Sequence, residues 1–65
     1  MATEYTIREY ATGKAIGEIT LTDEQFARYE KYAQQPEGIM PIRDLPGKID
    51  NLSDTVSRDT TIYLD

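Results

Sequence analysis

The residues able to do chemistry are few, and each is explained by its local setting. Histidine and cysteine are absent. The usual general base, the commonest metal ligand and any thiolate nucleophile or disulfide are therefore excluded together. Thr12-Gly13-Lys14 shares a Gly-Lys step with phosphate-binding loops. It lacks the earlier glycine, the hydroxyl residue after lysine and a following helix, so it reads as a turn. Asp50, Asn51, Ser53 and Asp54 are oxygen donors close in sequence, without the spacing or the twelfth-position glutamate of a calcium loop. Asp23 and Glu24 are adjacent carboxylates that open a helix, where they favour the positive end of its dipole and do not converge. Ser53 and Ser57 have no histidine to activate them, and Lys14, Lys31 and Lys48 lie among polar residues, without the apolar surroundings that an amine nucleophile needs. The sequence predicts a non-enzymatic protein that needs no cofactor and no metal.

What remains is aromatic. Five tyrosines occur in 65 residues with no tryptophan, and which of them face a core depends on the elements that carry them. The clearest element is Leu21 to Gln34. Thr22 and Gln25 have capping-box spacing, Leu21 and Phe26 that of a hydrophobic staple, and Glu24 precedes Arg28 by four. Pro36 and Gly38 predict a stop near Gln34. At 100° per residue Phe26, Tyr29 and Ala33 form one apolar stripe, opposite Glu24, Arg28 and Lys31. A helix this short is marginal alone and needs a surface.

Tyr5 to Tyr10 and Ala15 to Thr20 alternate about Ala11-Thr12-Gly13 and predict a hairpin with Gly13 in the left-handed region. A three-residue loop sets Tyr5 against Ile19, Thr6 against Glu18, Ile7 against Gly17 and Arg8 against Ile16. One face then carries Tyr5, Ile7, Ala15, Gly17 and Ile19. The other carries Thr6, Arg8, Tyr10, Lys14, Ile16 and Glu18. A two-residue, even-numbered loop sets Ile7 against Glu18 and splits the apolar set between the faces. Thr60 to Leu64 has the composition of a third strand, with Ile62 and Leu64 toward the helix and Tyr63 away from it. A right-handed crossover puts it beside the first strand, in the order second, first, third. The predicted fold is a single small α+β domain over residues 1–65, a β-β-α-β arrangement with one helix on one face of a three-stranded sheet. Residues 35–59, broken by Pro36, Gly38, Pro41, Pro46 and Gly47, read as mostly loop, with Ile39, Met40, Ile42 and Leu45 either folding back to close the core or forming a docking loop for a partner. Ile49, Leu52 and Val56 have the spacing of a short helical turn, and Asp50, Ser53 and Asp54 favour turns equally.

Twelve acidic residues against seven basic ones give a net charge of −5, the wrong sign for neutralising phosphates, so direct nucleic-acid binding is not expected. No apolar run approaches the roughly 20 residues that span a bilayer, and the first residues lack the basic and apolar regions of a signal peptide. The expectation is a soluble cytoplasmic protein. A chain of this length buries only about 60% of its unfolded surface, and with no cysteine it gains most readily from association. One helix covers one side of a sheet, which leaves Arg8, Tyr10, Ile16 and Tyr63 as the expected partner-binding residues, with Glu18 at their edge. Aromatic and arginine residues are favoured in such surfaces. The expected function is a protein–protein interaction module or regulatory accessory protein, as a homodimer or with another protein. The alternative is an acidic decoy that mimics nucleic acid, of the kind mobile elements encode.

Overall fold

The computed structural model describes residues 1–32 and 38–65. Its elements are β1 (Ala2–Glu9), β2 (Ala15–Thr22), α1 (Asp23–Tyr32), β3 (Met40–Pro41), a 3-10 turn (Ile42–Asp44), β4 (Lys48–Asp50) and β5 (Thr61–Leu64). The five strands form one antiparallel sheet in the order β3-β5-β1-β2-β4. The α+β class and the adjacency of β2, β1 and β5 agree with the sequence reading. The strand count does not: the described residues form five strands where three were expected. The segment read as mostly loop supplies both sheet edges, β3 and β4. Ile49 lies in β4 opposite Ile19, not on a helical turn. Strands of two and three residues are too short to show an alternating pattern, and proline and glycine flank both.

The hairpin shows why Ile16 is misplaced by simple alternation. Glu9 N–H donates to the Lys14 carbonyl at 2.9 Å, which closes an even-numbered loop of Tyr10 to Gly13, and Gly13 takes φ 73°. Next to the turn Arg8 pairs with Ala15. Beyond a β-bulge Ile7 pairs with Gly17, followed by Thr6 with Glu18 and Tyr5 with Ile19. Ile16 is the extra residue, and it turns into the core at 9% exposure. The even loop was disfavoured because it splits the apolar residues across the sheet, and the bulge removes that penalty by shifting the register by one. Two expectations are corrected by it: Arg8 faces Ala15 instead of Ile16, and Ile16 belongs to the core instead of the outer face, while Ala15 is exposed.

The core lies on the helix side. Ile7, Ile19 and Ile62 are completely buried, Leu21 is 1% exposed, and Tyr29, Met40 and Ile42 join them, with Tyr5, Phe26, Leu45, Ile49, Leu52, Val56 and Leu64 packed at the margin. Met40, Ile42 and Leu45 thus close the core, the first of the two readings of this segment, while Ile39 lies outside the cluster. The second closure comes from Leu52 and Val56, anchored where Ser53 N–H donates to the Ile16 carbonyl at 3.1 Å.

The helix start is reciprocal. Thr22 N–H donates to Gln25 Oε1 at 2.9 Å and Gln25 N–H donates to Thr22 Oγ1 at 3.2 Å. The Gln25 amide also donates to the Pro46 carbonyl at 3.2 Å, tying the first turn of α1 to the loop before β4. Phe26 stacks on Tyr5 with ring centroids 4.9 Å apart and planes at 12°. The expected stop near Gln34 and the stripe residue Ala33 lie outside the described residues.

Tyr29 makes the least anticipated contact. Its hydroxyl donates to the Gly38 carbonyl at 3.0 Å and accepts from Leu64 N–H at 3.2 Å. The β3–β5 pairing of Met40 with Ile62 and Pro41 with Thr61, extended by two residues, sets Gly38 opposite Leu64. The phenol is therefore inserted where the next ladder bond would run, and it satisfies both backbone groups from within the core.

Candidate functional site

The face opposite α1 is the candidate surface. Pairing assigns its side chains row by row. Tyr63 of β5 lies beside Arg8 of β1, and Arg8 beside Ala15 of β2. The next row crosses the sheet from Asp65, bonded to Thr6 through both backbone groups at 3.1 and 2.9 Å, to Glu18 and Asp50. A third row holds Glu4, Thr20 and Lys48. Tyr10 follows at the turn, where its N–H donates to the Thr61 carbonyl at 3.0 Å, and its side chain is 41% exposed. The shortest dimension of the molecule is 17 Å. That accommodates one sheet and one helical layer about 10 Å apart, with no third layer behind the sheet among the described residues.

Arg8 is held in place. Its Nε donates to Asp65 Oδ2 at 2.9 Å and its Nη1 to the Gly13 carbonyl at 2.9 Å, so the guanidinium locks the last strand and the hairpin turn to each other. The Tyr63 hydroxyl lies over Gly13: a Cβ built on that glycine comes within 3.6 Å of it. A shallow concavity of about 590 Å³ opens between Arg8, Thr6, Lys14, Glu18 and Asn51. Asn51 Nδ2 donates to Glu18 Oε1 at 2.7 Å across its rim. Of the four residues read from the sequence, Arg8, Tyr63 and Tyr10 are brought together at one corner. Ile16 adds only to the floor of the concavity. Asp65 and Gly13, which fix Arg8, were not read as part of the site: the register of β5 on β1 places Asp65, and that of the turn places the Gly13 carbonyl.

A larger concavity of about 740 Å³ runs between Tyr32 at the end of α1 and Met40, Pro41, Arg43 and Asp44. Ile39 and Thr61 complete its lining among the described residues. Among the described residues no three carboxylates gather in a way that could hold a metal ion, and no helix is long and apolar enough to cross a membrane. Comparisons of the chain with family models, with curated proteins and with solved structures found no match.

Proposed function

We propose that this protein is a non-enzymatic interaction module that binds a protein, or a second copy of itself, through the corner of the sheet formed by Arg8, Tyr10 and Tyr63. The observation that carries this reading is the fixing of Arg8. A guanidinium held by Asp65 and the Gly13 carbonyl loses little side-chain entropy on binding, and it lies beside a tyrosine with a second tyrosine at the adjacent turn. Aromatic and arginine side chains that are already ordered make the strongest contacts in protein interfaces. Replacing Tyr10 and Tyr63 together by serine is the test. Both lie outside the core cluster, so the double variant should stay folded and weaken association, measured by sedimentation velocity of the protein alone and with bound partners. A double variant that keeps the wild-type association state and every partner excludes the reading.

A second reading is supported by the carboxylates. Glu18 and Asp50 are direct cross-strand neighbours in a row that ends at Asp65. Such a line of like charges costs stability and suits an acidic decoy for a nucleic-acid-binding protein. Salt separates the two: the affinity of a decoy falls steeply with ionic strength, and that of the tyrosine corner changes little.

A further inference from the structure

The two lateral edges of the sheet differ. On β3 the residue whose backbone points outward is Pro41, which has no N–H to offer, since Met40 is the one that faces β5 opposite Ile62. Strand β4 has no such guard. Thr6 exchanges both backbone bonds with Asp65, so the odd-numbered residues of β1 turn toward β2, where Gly17, Ile19 and Leu21 face them. Glu18 and Thr20 therefore turn the other way and bond to Asp50 and Lys48. The N–H and C=O of Ile49 are left pointing away from the sheet, and no described residue takes them up.

We infer that β4 is the interface of a two-fold dimer, in which Ile49 exchanges both backbone bonds with Ile49 of a second copy and one sheet runs on through both. The charges select that register. Lys48 and Asp50 flank Ile49 on the outer face, and neither makes an ion pair or a side-chain hydrogen bond among the described residues. An antiparallel copy centred on Ile49 sets Lys48 of each chain opposite Asp50 of the other, once on each side of the axis. A slip of two residues in one direction sets Lys48 against Lys48, and in the other Asp50 against Asp50.

The same pairing relieves two features of the single chain. Asp50 lies beside Glu18, a like pair that costs stability, and the lysine of the second copy arrives on the other side of Asp50 to offset it. On the core face Ile49 is only half-buried, and pairing lays it against its counterpart and takes more of it out of water. A lysine on an edge strand commonly keeps copies apart. Here Asp50 two places on makes the edge complementary to itself. One short strand makes a small contact, so the dissociation constant is expected between about 10 µM and about 1 mM. The Arg8–Tyr63 corner lies between β1 and β5, away from β4, so the dimer does not depend on that surface.

The test is sedimentation equilibrium of the whole chain up to about 1 mM, with two single variants. Lys48→Asp sets aspartate against Asp50 across the axis, and Asp50→Lys sets lysine against Lys48, so each alone should associate at least about tenfold more weakly than the wild type. Mixed in equal amounts they are complementary at both positions and should form a heterodimer of about wild-type affinity, which also shows that both are folded. The mixed pair carries the same total charge as two wild-type copies, so bulk repulsion does not account for the recovery. In the wild type the Ile49 amide should exchange hydrogen more slowly as protein concentration rises. Tyr10→Ser with Tyr63→Ser should leave the dimer intact, which separates this edge from the corner. The inference is overturned if the wild type stays monomeric at about 1 mM, if the single variants associate no better mixed than apart, or if exchange at Ile49 does not depend on concentration.

Discussion

At the scale of single residues the strongest claim concerns Tyr29. A phenol 8% exposed that donates to Gly38 and accepts from Leu64 satisfies two backbone groups at once, and its removal leaves both without a partner in a dry site. Tyr29→Phe preserves the ring and removes only the oxygen, so the loss should be that of the buried donor and acceptor, about 1–3 kcal/mol by urea unfolding. A loss under about 0.5 kcal/mol shows that water reaches the gap. Gly47 gives a second residue-scale outcome. A Cβ there lies 2.4 Å from Leu21 Cδ2 and 3.0 Å from the Thr20 carbonyl oxygen. Leu21 can move at its tip but the β2 backbone cannot, so Gly47→Ala should cost about 1–3 kcal/mol, measured in the same way. The sequence marked Gly47 only as a breaker. Its tight packing against β2 depends on a strand that the sequence does not announce.

At the scale of elements, legibility follows the amount of pattern each element carries. The helix start was readable because Thr22 and Gln25 interact within one turn, where spacing alone fixes geometry. The core faces of β1, of β5 and of β2 beyond the bulge were readable because burial follows alternation, and Ile7, Ile62 and Ile19 obey it. Ile16 was not, since a bulge is decided by competition between turn closure and core burial and leaves no mark of its own in the alternation. The same cause explains the candidate surface: Arg8 and Tyr63 are cross-strand neighbours, as alternation implies, whereas Ile16 was carried with them by the wrong parity and lies in the core. The bulge gives an outcome that separates the two registers. A residue on a wet face tolerates Ile→Ser within about 0.5 kcal/mol, whereas a core position loses about 2–4 kcal/mol. Ile16→Ser is expected to fall in the second range. Gly13→Ala, at φ 73°, should cost about 1–2 kcal/mol through the turn alone, and thermal melts of both variants would show the two losses.

For the molecule as a whole, charge works against compactness. The chain carries −5, and folding brings Glu18 beside Asp50 in a row ending at Asp65. Opposing this, among the described residues, are three ion pairs: Arg8 with Asp65, Arg43 with Asp59, and the Met1 ammonium with Asp23. Exposure decides between them. Asp65 is 61% exposed, Arg43 and Asp59 are 55% and 78%, and Met1 and Asp23 are 99% and 85%. Pairs this open contribute about 0–1 kcal/mol each, and much of that is lost to side-chain ordering. Repulsion among the remaining carboxylates acts over longer distances, and salt removes it first, because the Debye length falls from about 30 Å at 0.01 M to about 3 Å at 1 M. Added salt should therefore stabilise the fold. Between 10 mM and 500 mM sodium chloride the melting temperature is expected to rise by about 2–5 °C, corresponding to somewhat under 1 kcal/mol for a domain of this size. Glu18→Gln should raise the low-salt melting temperature and shrink that rise, since it relieves the closest pair of like charges in the row. A melting temperature that falls with salt would show instead that the three ion pairs outweigh the row, and that the outer face is held together by its charges.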